Sequence, residues 1–219
     1  IVCWDSITGK SLYNSISWQC LRGDTLCQKI RDTDFENYVN NVTGLKVDPY
    51  FSSTKISWIL KNSPDVKKAL KNDRLKVGTI DSWLMFNLLN NNPHLTDLSN
   101  ASRTGLLNTK TLNWDKKILS YFNIPVKILP KIVPSNYNFG TTNKKIFGFE
   151  VPITAVLGDQ HASLYGHSSN NENEIKCTYG TGAFILLNTF NKRYSYQNDF
   201  LSTVAWEKEK EIFYALKGS

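Results

Sequence analysis

Long apolar runs are missing from this 219-residue chain. None approaches the ~20 residues that a membrane-crossing helix needs, and no signal peptide is visible. Methionine is nearly absent, with Met85 the single one. The chain opens on Ile1-Val2-Cys3-Trp4, in what reads as mid-strand, and stops at Lys217-Gly218-Ser219 just after an apolar run. It therefore reads as an internal piece of a longer protein. Histidine is scarce: His94, His161 and His167 are too dispersed for a metal site, and the last two, six apart, do not share a helical face. The four cysteines, Cys3, Cys20, Cys27 and Cys177, show no Cys-x-x-Cys spacing, which points to free thiols in a reducing compartment. Clustered charge is missing too. The net charge of +7 comes from lysines scattered along the chain. Lys67, Lys68 and Lys71 share an expected helix with Asp65 and Asp73, which makes a solvated face. A nucleic-acid surface gathers its basic residues on one side with aromatics between them, so nucleic acid is excluded as a partner. There are no internal repeats. Asn41-Val42-Thr43 and Asn100-Ala101-Ser102 fit a glycosylation sequon that matters only in a secreted protein. Arg22-Gly23-Asp24 reads as a helix start.

A good core is present: 41% of residues are hydrophobic and 12% aromatic, which excludes a disordered chain. Ile1–Trp4 and Leu12–Trp18 read as strands joined by a turn at Thr8-Gly9-Lys10. Gln19–Arg31 and Phe35–Asn40 read as helices, as do Lys55–Lys61 and the segment from Pro64, a residue suited to a first helical turn. Leu75–Gly78 reads as a strand, Ile80–Leu89 as a helix, Thr96–Asn108 as irregular to extended, and Trp114–Phe122 as a helix. Strands and helices mix throughout, so the class is α/β. The polar run from His167 to Glu174 is the clearest boundary.

The chemistry concentrates between Val151 and Asn188. Ile153–Leu157 is an apolar run ended by Gly158, after which Asp159, Ala162, Leu164 and Tyr165 fit a helix. This strand–turn–helix reading sets Asp159 at the C-terminal end of a strand, where open α/β sheets bind ligands, and at a helix N-terminus that favours a carboxylate. Two further apolar runs, Ile175–Tyr179 and Ala183–Asn188, are joined by Gly180-Thr181-Gly182. Such a turn leaves backbone N–H groups bare beside a hydroxyl, which suits a phosphate. On spacing alone, an Asp after Gly is more often a plain helix cap than a catalytic base, and a Gly-x-Gly turn between strands is usually a plain hairpin.

Three blocks, taken together, resemble the FGGY carbohydrate-kinase family, and within it the branch that phosphorylates glycerol. They are Tyr50-Phe51-Ser52-Ser53-Thr54-Lys55-Ile56-Ser57-Trp58-Ile59-Leu60-Lys61-Asn62, Gly158-Asp159-Gln160 and Thr178-Tyr179-Gly180-Thr181-Gly182. Supporting stretches are Tyr13–Gln19, Gly78–Leu84 and Thr96–Thr104, and the similarity runs collinearly along the chain. The resemblance implies an actin-like ATPase fold of two ribonuclease-H-like domains. Residues 1–168 would be most of the N-terminal, substrate-binding domain, and 169–219 the start of the C-terminal, nucleotide-binding one. It implies ATP and Mg2+ as cofactors, glycerol as acceptor, and a cytoplasmic homo-oligomer. Glycerol contacts would fall on Trp18, Tyr50, Asp159, Gln160 and Phe184, with Asp159 also the catalytic base. The phosphate contact would fall on Thr181, with Gly180 and Gly182 shaping the loop.

The residue chemistry agrees with that assignment. A triol needs adjacent acceptors and donors, which Asp159 and Gln160 supply, and its carbon chain needs an apolar wall, for which Trp18 and Phe184 are suited. Both aromatics also fit plain core. Two departures stand out. Lys217 occupies a place where an acidic residue is usual near the cleft, and His161 one where Gln is common. The family's Arg-Glu pair and its first phosphate loop would lie upstream of Ile1, so the piece alone should be inactive. Other readings are a sugar kinase such as a xylulokinase, or a non-catalytic relative.

Overall fold

The computed structural model describes residues 1–168, 174–180, 182–196 and 199–218. The first elements are β1 (Val2–Asp5), α1 (Asp24–Gln28), α2 (Asp34–Thr43), α3 (Ser52–Asn62), α4 (Pro64–Lys71), β2 (Leu75–Gly78) and α5 (Ile80–Leu88). β1 and β2 pair antiparallel. Local chemistry sets the helix ends. Thr33 accepts from the Glu36 N–H and caps α2, while the Glu36 carboxylate accepts from the N–H of Asp32, the residue before the cap. Gly44 ends α2 at φ 75°, a left-handed conformation that glycine adopts without steric cost. Ser63 caps α4, and Pro64 takes its first turn.

These elements enclose the main core. Ile56 and Ile59 of α3, Val66 and Ala69 of α4, and Val77 of β2 meet Cys27, Ile30, Leu106 and Ile118 there. Burial of such side chains stabilises by about 1.5–3 kcal/mol each.

Short pieces follow: β3 (Leu95–Asp97), α6 (Leu98–Ser102), β4 (Leu107–Asn108), β5 (Asn113–Trp114), α7 (Lys116–Tyr121), β6 (Lys131–Val133), β7 (Gly140–Thr141), α8 (Lys144–Phe147) and β8 (Pro152–Ile153). Asp97 and Asp115 each accept two backbone N–H groups at the start of α6 and α7. The last part is α9 (Asp159–Ser168) with β9 (Ile175–Tyr179), β10 (Ala183–Phe190), β11 (Leu201–Lys208) and β12 (Glu211–Gly218). These four strands form one sheet in the order β11-β12-β10-β9, antiparallel at every pairing. The fully buried Leu164 of α9 packs on Leu186, Ala205, Trp206 and Ala215 of that sheet. Leu98 and Ala101 of α6 pack on Val204 and Tyr214. Hydrogen bonds fasten the sheet to the first part of the chain: Ser202 N–H donates to the Gly44 carbonyl (2.8 Å), and Tyr214 Oη donates to the Thr109 carbonyl (3.1 Å).

Four expectations are corrected. Leu12–Trp18 is not a strand. It runs beside β1 with hydrogen bonds from Leu12 to Cys3 and from Ile16 to Ile1, but the pairing shifts by two residues between those points and no ladder forms. The helix expected over Gln19–Arg31 is only Asp24–Gln28, since nothing caps it and the flanking residues form turns. Thr96–Asn108 contains a helix, α6, because Asp97 nucleates one. The strand expected over Ile153–Leu157 ends at Ile153, where its partner β7 ends, so Asp159 follows an extended connection rather than a strand end. By contrast, β2 and β9 coincide with expectation. The Gly180-Thr181-Gly182 loop joins β9 to β10, although Thr181 itself lies outside the described residues, as does most of the expected domain boundary.

Candidate active site

A cleft of about 630 Å³ opens between the α3 side of the molecule and the β9–β12 sheet, with Trp18, Tyr50, Asp159, Gln160, Gly180, Gly182 and Phe184 all in its lining. These residues come from four separate stretches of sequence. Every site residue named from the sequence, Thr181 aside, therefore reaches one cavity.

The aromatic wall starts from Trp18 and Tyr50, whose ring centroids lie 5.5 Å apart. Trp18 is 47% exposed, so it is not core. It sits on the irregular segment after β1, a place that offers no packing partner on its outer face. Phe184 is half-buried: one side packs on the α9–sheet cluster and the ring also lines the cleft. Close approach explains the glycine beside it, because a Cβ on Gly182 would meet the Phe184 ring at 3.0 Å.

The backbone of the wall is held by a buried lysine that the sequence analysis gives no role. Lys55 of α3 is 2% exposed. Its ammonium donates to the carbonyls of Tyr50 (2.9 Å) and Trp18 (3.4 Å) and to that of Pro49. No carboxylate pairs with it among the described residues, and burial lowers its pKa. A signal was there: Lys55 lies inside the first quoted block, next to Ile56 and one turn before Ile59, on what is otherwise a buried face.

Asp159 is the first residue of α9 and is exposed to the cleft. The Gly158 carbonyl accepts from Ala162 N–H (2.8 Å), and Gly158 N–H is tied to Ser99 Oγ (2.8 Å), which fixes the helix start against α6. Among the described residues the Asp159 carboxylate accepts the neighbouring Gln160 N–H (2.7 Å) and no other hydrogen bond. That is the second N–H of the helix, so the carboxylate helps cap α9, and the side chain also lines the cavity. Gln160 Oε1 accepts from Lys176 Nζ (2.8 Å) and Thr178 Oγ1 (3.3 Å), so the group it turns to a ligand is its amide N–H2.

Cations dominate the remaining lining. Arg103 lies over the rings of Phe51 (5.2 Å) and Tyr50 (6.0 Å), and burial lowers its pKa. Lys217 of β12 approaches Phe184 and Tyr50. His161, 3% exposed, shares a hydrogen bond with Thr203 Oγ1 (3.3 Å), and burial with Arg103, Lys217 and Lys176 nearby pushes it down to about 3. It is thus neutral and structural. Among the lining residues Asp159 is the one carboxylate, and among the described residues no group of three or more His, Cys, Asp or Glu could hold a metal by itself. A Mg2+ site made of one carboxylate plus nucleotide phosphates fits this donor set. No helix among the described residues is long and apolar enough to cross a membrane.

Comparison with known proteins is specific. Residues 1–166 match the N-terminal domain of the FGGY family of carbohydrate kinases. The chain is 44% identical over 219 residues to "Glycerol kinase 2" of Clostridium tetani, covering 100% of this chain and 44% of that protein. It is 46% identical over 221 residues to "Glycerol kinase" of Francisella tularensis subsp. novicida, again covering 44% of it. The crystal structure of Plasmodium falciparum glycerol kinase with ADP superposes with a TM-score of 0.92 at 36% identity, over 100% of this chain and 44% of that one. The chain thus spans under half the length of the relatives it matches.

Proposed function

The chain belongs to the FGGY family of carbohydrate kinases, with the α/β, actin-like fold class of its relatives, and on that premise we propose that the protein carrying it transfers the terminal phosphoryl group of ATP to glycerol, giving sn-glycerol 3-phosphate. Residues 1–168 belong, in this reading, to the acceptor-binding domain and 169–219 to the start of the nucleotide-binding one. The protein acts in the cytoplasm, consistent with its four free cysteines, and as a homo-oligomer.

The observation that carries the reading is the convergence of Trp18, Tyr50, Phe184, Asp159 and Gln160 on one cleft. The three rings bound a short apolar slot for a three-carbon chain. Asp159 and Gln160, adjacent on α9, offer an acceptor and a donor to neighbouring hydroxyls. In phosphoryl transfer the protein mainly positions and neutralises, while a carboxylate accepts the hydroxyl proton. Asp159 takes that proton as the hydroxyl oxygen bonds to the terminal phosphorus and ADP leaves. Gly180 and Gly182 flank the turn proposed to meet the nucleotide phosphates; contrary to the expectation of a bare loop, Gly180 N–H donates to the Gly182 carbonyl (3.1 Å), so what the turn offers at Gly180 is room, with nothing within 4 Å of where a Cβ would be. If Mg2+ enters with the nucleotide, Asp159, the one carboxylate among the described lining residues, would be the side chain of this chain placed to hold it, and the ion would supply charge neutralisation.

The test is an ADP-coupled assay on the intact protein with glycerol as acceptor, with the phosphorylated carbon identified by NMR. Phosphate on the sn-3 oxygen is the expected result. Turnover with a pentulose or gluconate but not with glycerol would assign the cleft to another acceptor.

A further inference from the structure

Lys217 sits at the centre of the sheet. Its neighbours across β12 are Leu186 of β10 and Leu201 of β11, and it is 5% exposed. The stem of this lysine is buried in the sheet, and its head opens on the cleft, where three N–H donors need acceptors. Yet among the described residues the ammonium has no hydrogen bond and no ion pair. It meets two ring faces: Phe184, 4.4 Å to the centroid, and Tyr50, 5.7 Å. Ring faces attract a cation but accept no strong hydrogen bond. Both rings line the cleft, and so does Lys217. Its head is therefore an unmet donor aimed into the cleft from between two of its walls.

Nearby groups sharpen the point. Nη1 and Nη2 of Arg103, over the same Tyr50 ring, also lack hydrogen-bond partners among the described residues. Lys176 is engaged with Gln160. Against these donors the lining, among the described residues, offers one carboxylate, Asp159. A neutral triol brings acceptors but no negative charge, whereas the described lining carries a surplus of positive charge. What balances it is an oxygen anion.

We propose that Lys217, backed by Arg103, forms an anion-binding site inside the acceptor cleft that takes phosphate oxygen, and specifically the phosphate borne by the acceptor after transfer. The site extends the reaction proposed above and rests on it only for the identity of the ester. Burial and the charge of Arg103 bring the Lys217 ammonium down to about 7, with Asp159 opposing and Lys176 adding to the fall. A bound dianion favours the protonated form, so binding should strengthen on the acid side of neutrality, where Lys217 is charged.

The experiment measures equilibrium binding to the intact protein without ATP, by calorimetry or Trp18 fluorescence. The probes are sn-glycerol 3-phosphate, inorganic phosphate and glycerol, and the proteins are wild type, Lys217→Met, Lys217→Gln and Lys217→Arg. A hydrogen bond to a charged group is worth about 10–100-fold in affinity. The phosphate ester should lose at least about tenfold in Met and Gln and recover in Arg, while glycerol changes by less than about threefold. Loss shared by inorganic phosphate means that the site reads phosphate as such. Loss confined to the ester means that it reads the bound product. Either result supports the site. Unchanged ester binding in Met and Gln overturns it, as does an equal loss for ester and glycerol, which would make Lys217 a pin between two rings. Should Met not fold, Gln keeps a polar head and carries the test. Because no turnover is read, a protein that fails to phosphorylate glycerol still tests the site through inorganic phosphate.

Discussion

The ammonium of Lys55 lies 2.9 Å from the carbonyl oxygen of Tyr50, and the same head reaches the Trp18 carbonyl. Two residues of the aromatic wall, 32 positions apart in sequence, thus hang on one buried cation. Lys55→Met keeps the stem and removes the donors. Leaving buried carbonyls unmet costs about 1–3 kcal/mol, so the wall should loosen. We expect KM for glycerol to rise more than kcat falls, with Lys55→Arg restoring part of the loss. Equal loss in kcat with KM unchanged would remove Lys55 from acceptor positioning.

Asp159→Asn preserves shape and removes the base. General-base loss costs on the order of 10²–10⁴-fold in kcat. Steady-state kinetics on the intact protein check this, and near-normal turnover would take Asp159 out of the proton transfer.

Acid should destabilise the fold through two histidines. His161 is pushed down to about 3, and burial pushes His94 down to about 4. Unfolded, each takes up a proton near pH ~6.5. Below that pH the unfolded chain binds more protons than the native one, so stability is complete above ~6.5 and drains away as pH falls toward the folded values, at up to about 1.4 kcal/mol per unit for each group. Urea midpoints at pH 7.5 and 5 should therefore differ in wild type and differ less in His161→Gln. Identical slopes for the two proteins would mean that His161 is protonated as easily in the folded state as in the unfolded one.

Where the backbone suits alanine, Gly→Ala stabilises by ~0.4–1 kcal/mol; Gly44→Ala should instead destabilise, by more than that amount. Gly44 has φ 75°, and a Cβ there would meet the Ser202 carbonyl oxygen at 2.6 Å. The clash falls where α2 ends against β11, so it strains the joint that seats the sheet. Thermal unfolding measures the cost, and a Tm within a degree of wild type would contradict it.

Legibility varied with how local the signal was. Pro64 after Ser63, and the apolar run Ile175–Tyr179, announce their elements by themselves, and both form as expected. Asp159 was legible as a helix opener, but the strand before it was not, because Ile153–Leu157 is apolar for reasons of packing while its pairing partner β7 is only Gly140–Thr141. The cleft lining named from family-like blocks converges in space, whereas Arg103 carries no local signal of its place in the site. The apolar neighbours of Lys55 mark it as facing inward, but they do not say that its head meets carbonyls 5 and 37 residues away. Lys217 was noticed as a departure, but only the sheet register shows that its head enters the cleft.

The central claim is that this cleft fits three carbons bearing adjacent hydroxyls. Its most direct measurement is kcat/KM of the intact protein for glycerol, propane-1,3-diol and xylulose. A deleted hydroxyl leaves buried polar groups unpaired and can cost up to ~10⁴-fold, while a five-carbon sugar brings hydroxyls against the apolar faces of Trp18 and Phe184. The account predicts glycerol far ahead of both. Xylulose ahead of glycerol would contradict it.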